Sequence, residues 1–265
     1  MSTAVLSSLM PAGGYGLPHA LRMEWIKLRS LRSTWWALLV VVAGMIAIGV
    51  VTMANTKPPS PDKLATFDPT NNVLAGVALG QLVIGVIGVL LVTGEYSSGS
   101  IRATLAAVPH RPLVLAAKAA VFGGVTLVLS ELVVLVTFFA GGAALYPAIP
   151  QPSLTDGGVL RAVLMSGAYL GLIAVMAVGI GALVRHTASA IGALVGLLFV
   201  VPAVLAGATG TAVAKFFPTM IAGNSLAVSR PMPEMLTPWA GFALLVLYTA
   251  VVYAAGLRVL VKRDA

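Results

Sequence analysis

"VLAGVALGQLVIGVIGVLLVTGEYSSGSIRATLAAVPHRP", residues 73–112, joins an apolar run to the most polar stretch in the middle of the chain. From Val73 to Thr93 there is no Lys, Arg, Asp or Glu, and about 20 such residues are what an α-helix needs to cross a hydrocarbon core of roughly 30 Å. From Gly94 to Pro112 the chain gathers Glu95, Arg102, His110 and Arg111, with Lys118 just beyond. The apolar part reads as a membrane span and the polar part as a connection on one face of the membrane.

The rest of the chain repeats the pattern. The 265 residues are 59% hydrophobic and 9% charged, with a mean hydropathy of +1.01; soluble domains carry about 25% charged residues. Six spans are expected, at 35–53, 73–93, 119–145, 163–184, 188–208 and 238–257; none holds Lys, Arg or Asp, and only the third holds an acid, Glu131. The fold class is therefore an all-α polytopic membrane protein. Residues 1–18 read as a disordered leader, 19–33 as an amphipathic helix, 34–258 as the six-span body, and 259–265 as a basic tail.

Charge sets the orientation. With six spans both termini share a side, and that side holds eleven of the sixteen basic residues, including Arg22, Lys27, Arg29, Arg102, Arg111, Lys118 and Arg185, against Glu24, Glu95 and Asp264. The other side holds Lys57, Lys63, Arg161, Lys215 and Arg230 against Asp62, Asp68, Asp156 and Glu234. The positive-inside rule makes both termini cytoplasmic in a plasma membrane. Anionic lipid headgroups account for the formal net charge of +8 without nucleic acid as a partner.

Two amphipathic elements face that side. In "HALRMEWIKLRSLRSTWW", Leu21, Trp25, Leu28 and Leu31 recur at helical spacing while Arg22, Lys27, Arg29 and Arg32 fill the remaining surface, which fits a helix lying flat in the headgroup layer. A calmodulin-type target helix has a similar pattern. In the 94–112 segment Ile101, Leu105 and Val108 share one face, and Glu95, Ser98 and Arg102 another. The segment reads as a short interfacial helix offering its polar groups to the cytoplasm, or as a plain solvated loop.

These elements resemble the permease subunits of ATP-binding-cassette transporters of the type 2 exporter class. "GEYSSGSIRATLAAVPHRPLVLAAK" is similar to that family's pattern of an acidic-aromatic pair, a Gly-Ser-Ile-Arg step, a Thr-Leu pair, Pro-x-Arg and a Lys at the next span. The closing "FFPTMIAGNSL" and the stretch from Leu236 to the basic tail are similar to the last third of such subunits. The resemblance implies that the segment is a coupling helix docked on a separate ATPase subunit, with Glu95 and Tyr96 starting it, Gly99, Ser100, Ile101 and Arg102 at its centre, and Thr104 and Leu105 completing it. It implies that Arg22, Glu24, Trp25, Lys27 and Arg29 lie on a connecting helix bracing that contact, and that two permease copies assemble, as a homodimer or with a related permease.

The chain has no phosphate-binding loop, because no Gly-Lys pair occurs in it. ATP and Mg are thus expected on the partner, with no cofactor, metal or catalytic residue here. Glu131 is a functional candidate by its depth, with Gln81, Thr126 and Ser130 as candidate polar neighbours; it serves either as packing glue or as the carrier group of a proton-coupled secondary transporter or channel, the alternative function. Gly76 with Gly80, Gly167 with Gly171, and Gly192 with Gly196 have the spacing that lets helices approach closely. "KFFPTMIAGNSL" reads as a re-entrant lid or an external loop. The uncharged interior fits amphipathic or hydrophobic cargo.

Overall fold

A computed structural model describes residues 16–60, 67, 69–228 and 233–263. The calls on 1–15, and on Asp62, Lys63, Asp68, Arg230 and Asp264, lie outside the described residues. Among the described residues there are helices and no strands. Six helices among the described residues are long and apolar enough to cross a membrane.

In chain order, α1 is Leu17–Ser30, α2 Arg32–Ala54, and α3 Thr70–Ser97 with one tighter turn at Leu74–Gly76. The short α4 is Ser100–Ala107 and α5 is Arg111–Ala144. They are followed by α6, Val159–Val184, and α7, Thr187–Thr209. Two short helical turns, α8 at Thr211–Ala214 and α9 at Pro218–Met220, precede α10, Pro238–Lys262.

The helices overrun the apolar runs. At 34 residues α5 is about 50 Å long, well beyond a hydrocarbon core; it begins at Arg111, so Lys118 sits two turns inside it. Residues 17 and 18 belong to α1 instead of the leader, and α10 takes in the tail as far as Lys262. Prolines open α1, α5, α9 and α10 in the first turn, where a missing N–H costs nothing. Gly99, at φ +72°, ends α3 and restarts the chain as α4; that left-handed angle suits a residue without Cβ.

The most buried span is α6, and small residues are the reason. An added Cβ on Gly179 would come within 3.0 Å of the Tyr253 backbone, and one on Gly256 would meet the Gly179 carbonyl, so α6 and α10 touch backbone to backbone. An added Cβ on Gly88 of α3 would meet Ala177 at 2.8 Å. Gly76 and Gly80 lie against Met45 of α2, and Gly167 and Gly171 against Glu131 and Leu127 of α5. Among the described residues nothing comes within 4 Å of a Cβ added at Gly192 or Gly196 of α7, so that pair faces open space.

Within α7 a π-helical turn spans Gly196–Val200. Pro202, just after that turn, has no N–H to give. The Thr219 hydroxyl donates to the Leu198 carbonyl within the turn. "KFFPTMIAGNSL" is accordingly not a loose loop: Ile221, Asn224, Ser225 and Leu226 are buried, Gly241 of α10 packs under Ser225, and Arg161 donates to the carbonyls of Leu226 and Ala227, both at 3.2 Å.

Candidate functional site

Four helices meet in one ion network. Glu24 stands on α1 in line with Ala20 and Leu28, and these three are the residues α1 buries. The face packed on the bundle is therefore Ala20, Glu24 and Leu28. Of the expected apolar stripe, Trp25 is 42% exposed and Leu31 is 43% exposed. Placing Glu24 inward brings its carboxylate to Lys118 of α5, with Nζ to Oε2 at 2.7 Å.

Lys118 also reaches Glu95 Oε1, at 2.8 Å, in the last turn of α3. The same oxygen accepts from Lys27 of α1 at 2.9 Å. Lys27 further contacts Glu24 Oε1 at 3.1 Å and donates to Thr104 Oγ1 of α4 at 2.9 Å. Two carboxylates face two ammoniums, so the cluster is neutral. Glu24, Lys118 and Glu95 have side chains 4%, 6% and 13% exposed. Burial pulls the Lys27 ammonium down, but the Glu24 and Glu95 carboxylates outweigh it and its pKa is raised.

The sequence pattern puts Glu95 on the outward polar face; the structure turns it in. Glu95 and Tyr96 close α3, and α4 proper starts at Ser100. On α4, Ile101, Thr104 and the following Val108 point into the bundle, Leu105 is half-buried, and Ser100 and Arg102 are exposed. On α1, Arg22, Trp25 and Arg29 are exposed. What remains outward around α4 is Arg102 and the serines, held from beneath by Thr104 and Lys27.

A second set of contacts ties this end to α10. A helix leaves its last carbonyls without partners, and two arginines serve them. Arg111 Nη1 donates to the carbonyls of Leu260 at 3.1 Å and Arg263 at 2.9 Å. Arg185 Nη2 donates to that of Val259 at 2.8 Å and its guanidinium lies 5.1 Å from the Tyr96 ring centroid. Arg185 is held at φ +65°, the one described residue other than glycine with positive φ. α1, the α3–α5 connection, the α6–α7 turn and the end of α10 thus share one end of the bundle.

Deeper in the bundle, Glu131 lies in the space Gly167 leaves; an added Cβ there would come within 2.6 Å of both carboxyl oxygens. Gln81, expected among its neighbours, is instead bonded to the hydroxyl of Tyr169, and both are buried. That pair lines a cavity of about 230 Å³ bounded by α3, α6 and the segment after α9. Among the described residues no group of three or more metal-ligating side chains forms.

The fold and this junction define a multi-pass membrane protein with a braced helical connection at one end. A family model described as ABC-2 family transporter protein matches residues 20–202. The chain belongs to that family of transporter permeases. The match runs from α1 into α7 and stops before the closing stretch. A comparison with curated proteins finds no match.

The Lys118–Glu24 and Arg111–α10 contacts were not read from sequence. One signal pointed to the first: a lysine flanked by apolar residues in a long helix, with two acids on the same membrane side. No signal in the sequence pairs an arginine with backbone carbonyls.

Proposed function

We propose that this chain is the membrane subunit of an ATP-driven exporter in the plasma membrane, with both termini and the ion network cytoplasmic and with a separate ATPase docked on the exposed face of α4. ATP and Mg are bound by that partner. The observation that carries this reading is the network itself. A push on α4 reaches Thr104, passes through Lys27 to Glu95 and Lys118, and so arrives at the ends of α1, α3 and α5 together. A loop without such bracing would absorb the push.

The positive-inside count supports the orientation, and the open surface of α7 around Gly192 and Gly196 supports a second permease copy, most simply the same chain. Glu131, seated against Gly167, serves in this reading as a packing group. The cargo is amphipathic or hydrophobic, in keeping with a bundle of few charges.

Arg102 gives the test. It is exposed, so Arg102→Glu leaves the fold intact while reversing the charge that meets the partner. ATPase co-purifying with the chain from its own membranes falls with Arg102→Glu, and export by reconstituted vesicles requires ATP. Transport by the lone chain without ATP overturns the reading.

A further inference from the structure

Gln81 and Glu95 stand fourteen residues apart on α3, about 21 Å along the helix. The cavity of about 230 Å³ that Gln81 lines therefore belongs to the half of the bundle away from the ion network. No Asp, Glu, Lys, Arg or His lines it. Leu74, Val77 and Leu226 give it apolar walls, with alanines between them. Ala78 and Gly223 line it and are exposed, so they mark its mouth.

The polar groups of the wall are unevenly committed. Ser166 donates its proton to the Ala162 carbonyl at 2.7 Å, and Thr219 gives its own to the Leu198 carbonyl. Both hydroxyl oxygens are left as acceptors only. Gln81 accepts from the Tyr169 hydroxyl through Oε1. Its carboxamide nitrogen, Nε2, bonds to nothing among the described residues. Nor is it one of the sealed polar atoms that lack a partner, as Thr126 Oγ1 and Thr249 Oγ1 are, so its N–H groups open onto the cavity. Gln81 is 1% exposed, and an amide buried without its hydrogen bonds is costly.

Two requirements follow for an occupant. It accepts from Gln81 and gains by donating to a hydroxyl oxygen, and a hydroxyl group does both with one atom. It is uncharged, because no charged side chain is present to offset the desolvation of an ion. The rest of the wall is apolar, and since a cavity of roughly 150 Å³ takes a benzene, this one takes about ten heavy atoms.

We propose that this cavity binds an uncharged apolar molecule through a single hydroxyl group, which accepts from Gln81 Nε2 and donates to a hydroxyl oxygen of the wall. As the cargo class of the exporter, or the polar end of a larger cargo, such an alcohol rests on the reading given above; the binding itself does not.

The chain has no cysteine, so Gly223→Cys supplies a single thiol at the mouth, where nothing among the described residues lies within 4 Å of an added Cβ. Capture of that thiol by a maleimide is timed on the purified full chain in detergent. Four compounds of one carbon skeleton are compared at equal micellar concentration: menthol, menthone, menthane and menthylamine. Menthol slows capture at a roughly tenfold lower concentration than menthane, within the net worth of a pair of neutral hydrogen bonds. Menthone, which accepts without donating, falls between them, and the cationic menthylamine does no better than menthane. Ala78→Phe, filling the mouth from an exposed position, abolishes protection and leaves the melting temperature of the ligand-free chain unchanged. Gln81→Met, close in shape, brings menthol down to the level of menthane.

Equal protection by menthol and menthane overturns the proposal, as does menthone matching menthol, menthylamine protecting best, or protection that survives Ala78→Phe. Protection by none of the four overturns it as well, leaving the cavity to water. Every arm uses the lone chain without ATP. Failure here leaves the exporter reading standing, and failure of ATP-driven export leaves the binding standing.

Discussion

Lys118 and Glu24 are 94 positions apart in sequence, and their side chains meet at 2.7 Å in the interior of the bundle. Each is nearly sealed from solvent. Removing Lys118 leaves Glu24 and Glu95 to share one ammonium, that of Lys27, whereas removing Glu24 as well leaves Lys27 and Glu95 matched.

Lys118→Met therefore costs about 3–5 kcal/mol of stability. The combined change Lys118→Met and Glu24→Gln recovers part of that loss. Thermal unfolding in detergent of the two single variants and the double one measures the coupling; additive losses would show that the pair is not coupled.

At Gly167 the space for a methyl group is taken by the Glu131 carboxyl. Gly167→Ala destabilises by about 1–3 kcal/mol, the usual cost of overpacking. In a Glu131→Ala background the same change is far milder. Glu131→Gln, close in shape, retains transport in reconstituted vesicles; its loss there would return the proton-carrier reading.

Thr219 donates to the Leu198 carbonyl in the π-helical turn of α7. Thr219→Val orphans that oxygen and costs about 1–3 kcal/mol. Melting temperatures of the two chains decide it; equal values overturn the contact.

Arg185 combines a guanidinium that binds α10 with a backbone angle that disfavours side chains. Arg185→Ala loses the contact and keeps the strained angle. Arg185→Gly loses the contact but relieves the angle, so it is the more stable of the two by about 1 kcal/mol. Chemical denaturation of both variants provides the comparison.

The spans were legible because each is a long run without charge between polar punctuation, and lipid permits such a run little besides a helix. The helix before the first span was legible for a related reason: a repeating apolar spacing acts locally. The break at Gly99 was not, because the resemblance put Gly99 at the centre of the coupling helix, whereas its φ of +72° divides α3 from α4. The inward turn of Glu24 and Glu95 was not. An acid on an amphipathic helix normally faces water, and only Lys118, brought alongside by the packing of α5, reverses that. Glycine spacing showed which residues could allow close approach without showing what lies opposite, which is why Gly192 and Gly196 stand open while Gly179 and Gly256 meet.

Arg111 and Arg185 grip main-chain oxygens at the close of α10, and every amino acid carries that oxygen. Selection acting through these two grips is blind to the letters there and sensitive to their number. Over evolutionary time residues 259–263 can exchange side chains as far as these two arginines are concerned, yet losing one turn would remove the carbonyls that both guanidiniums hold.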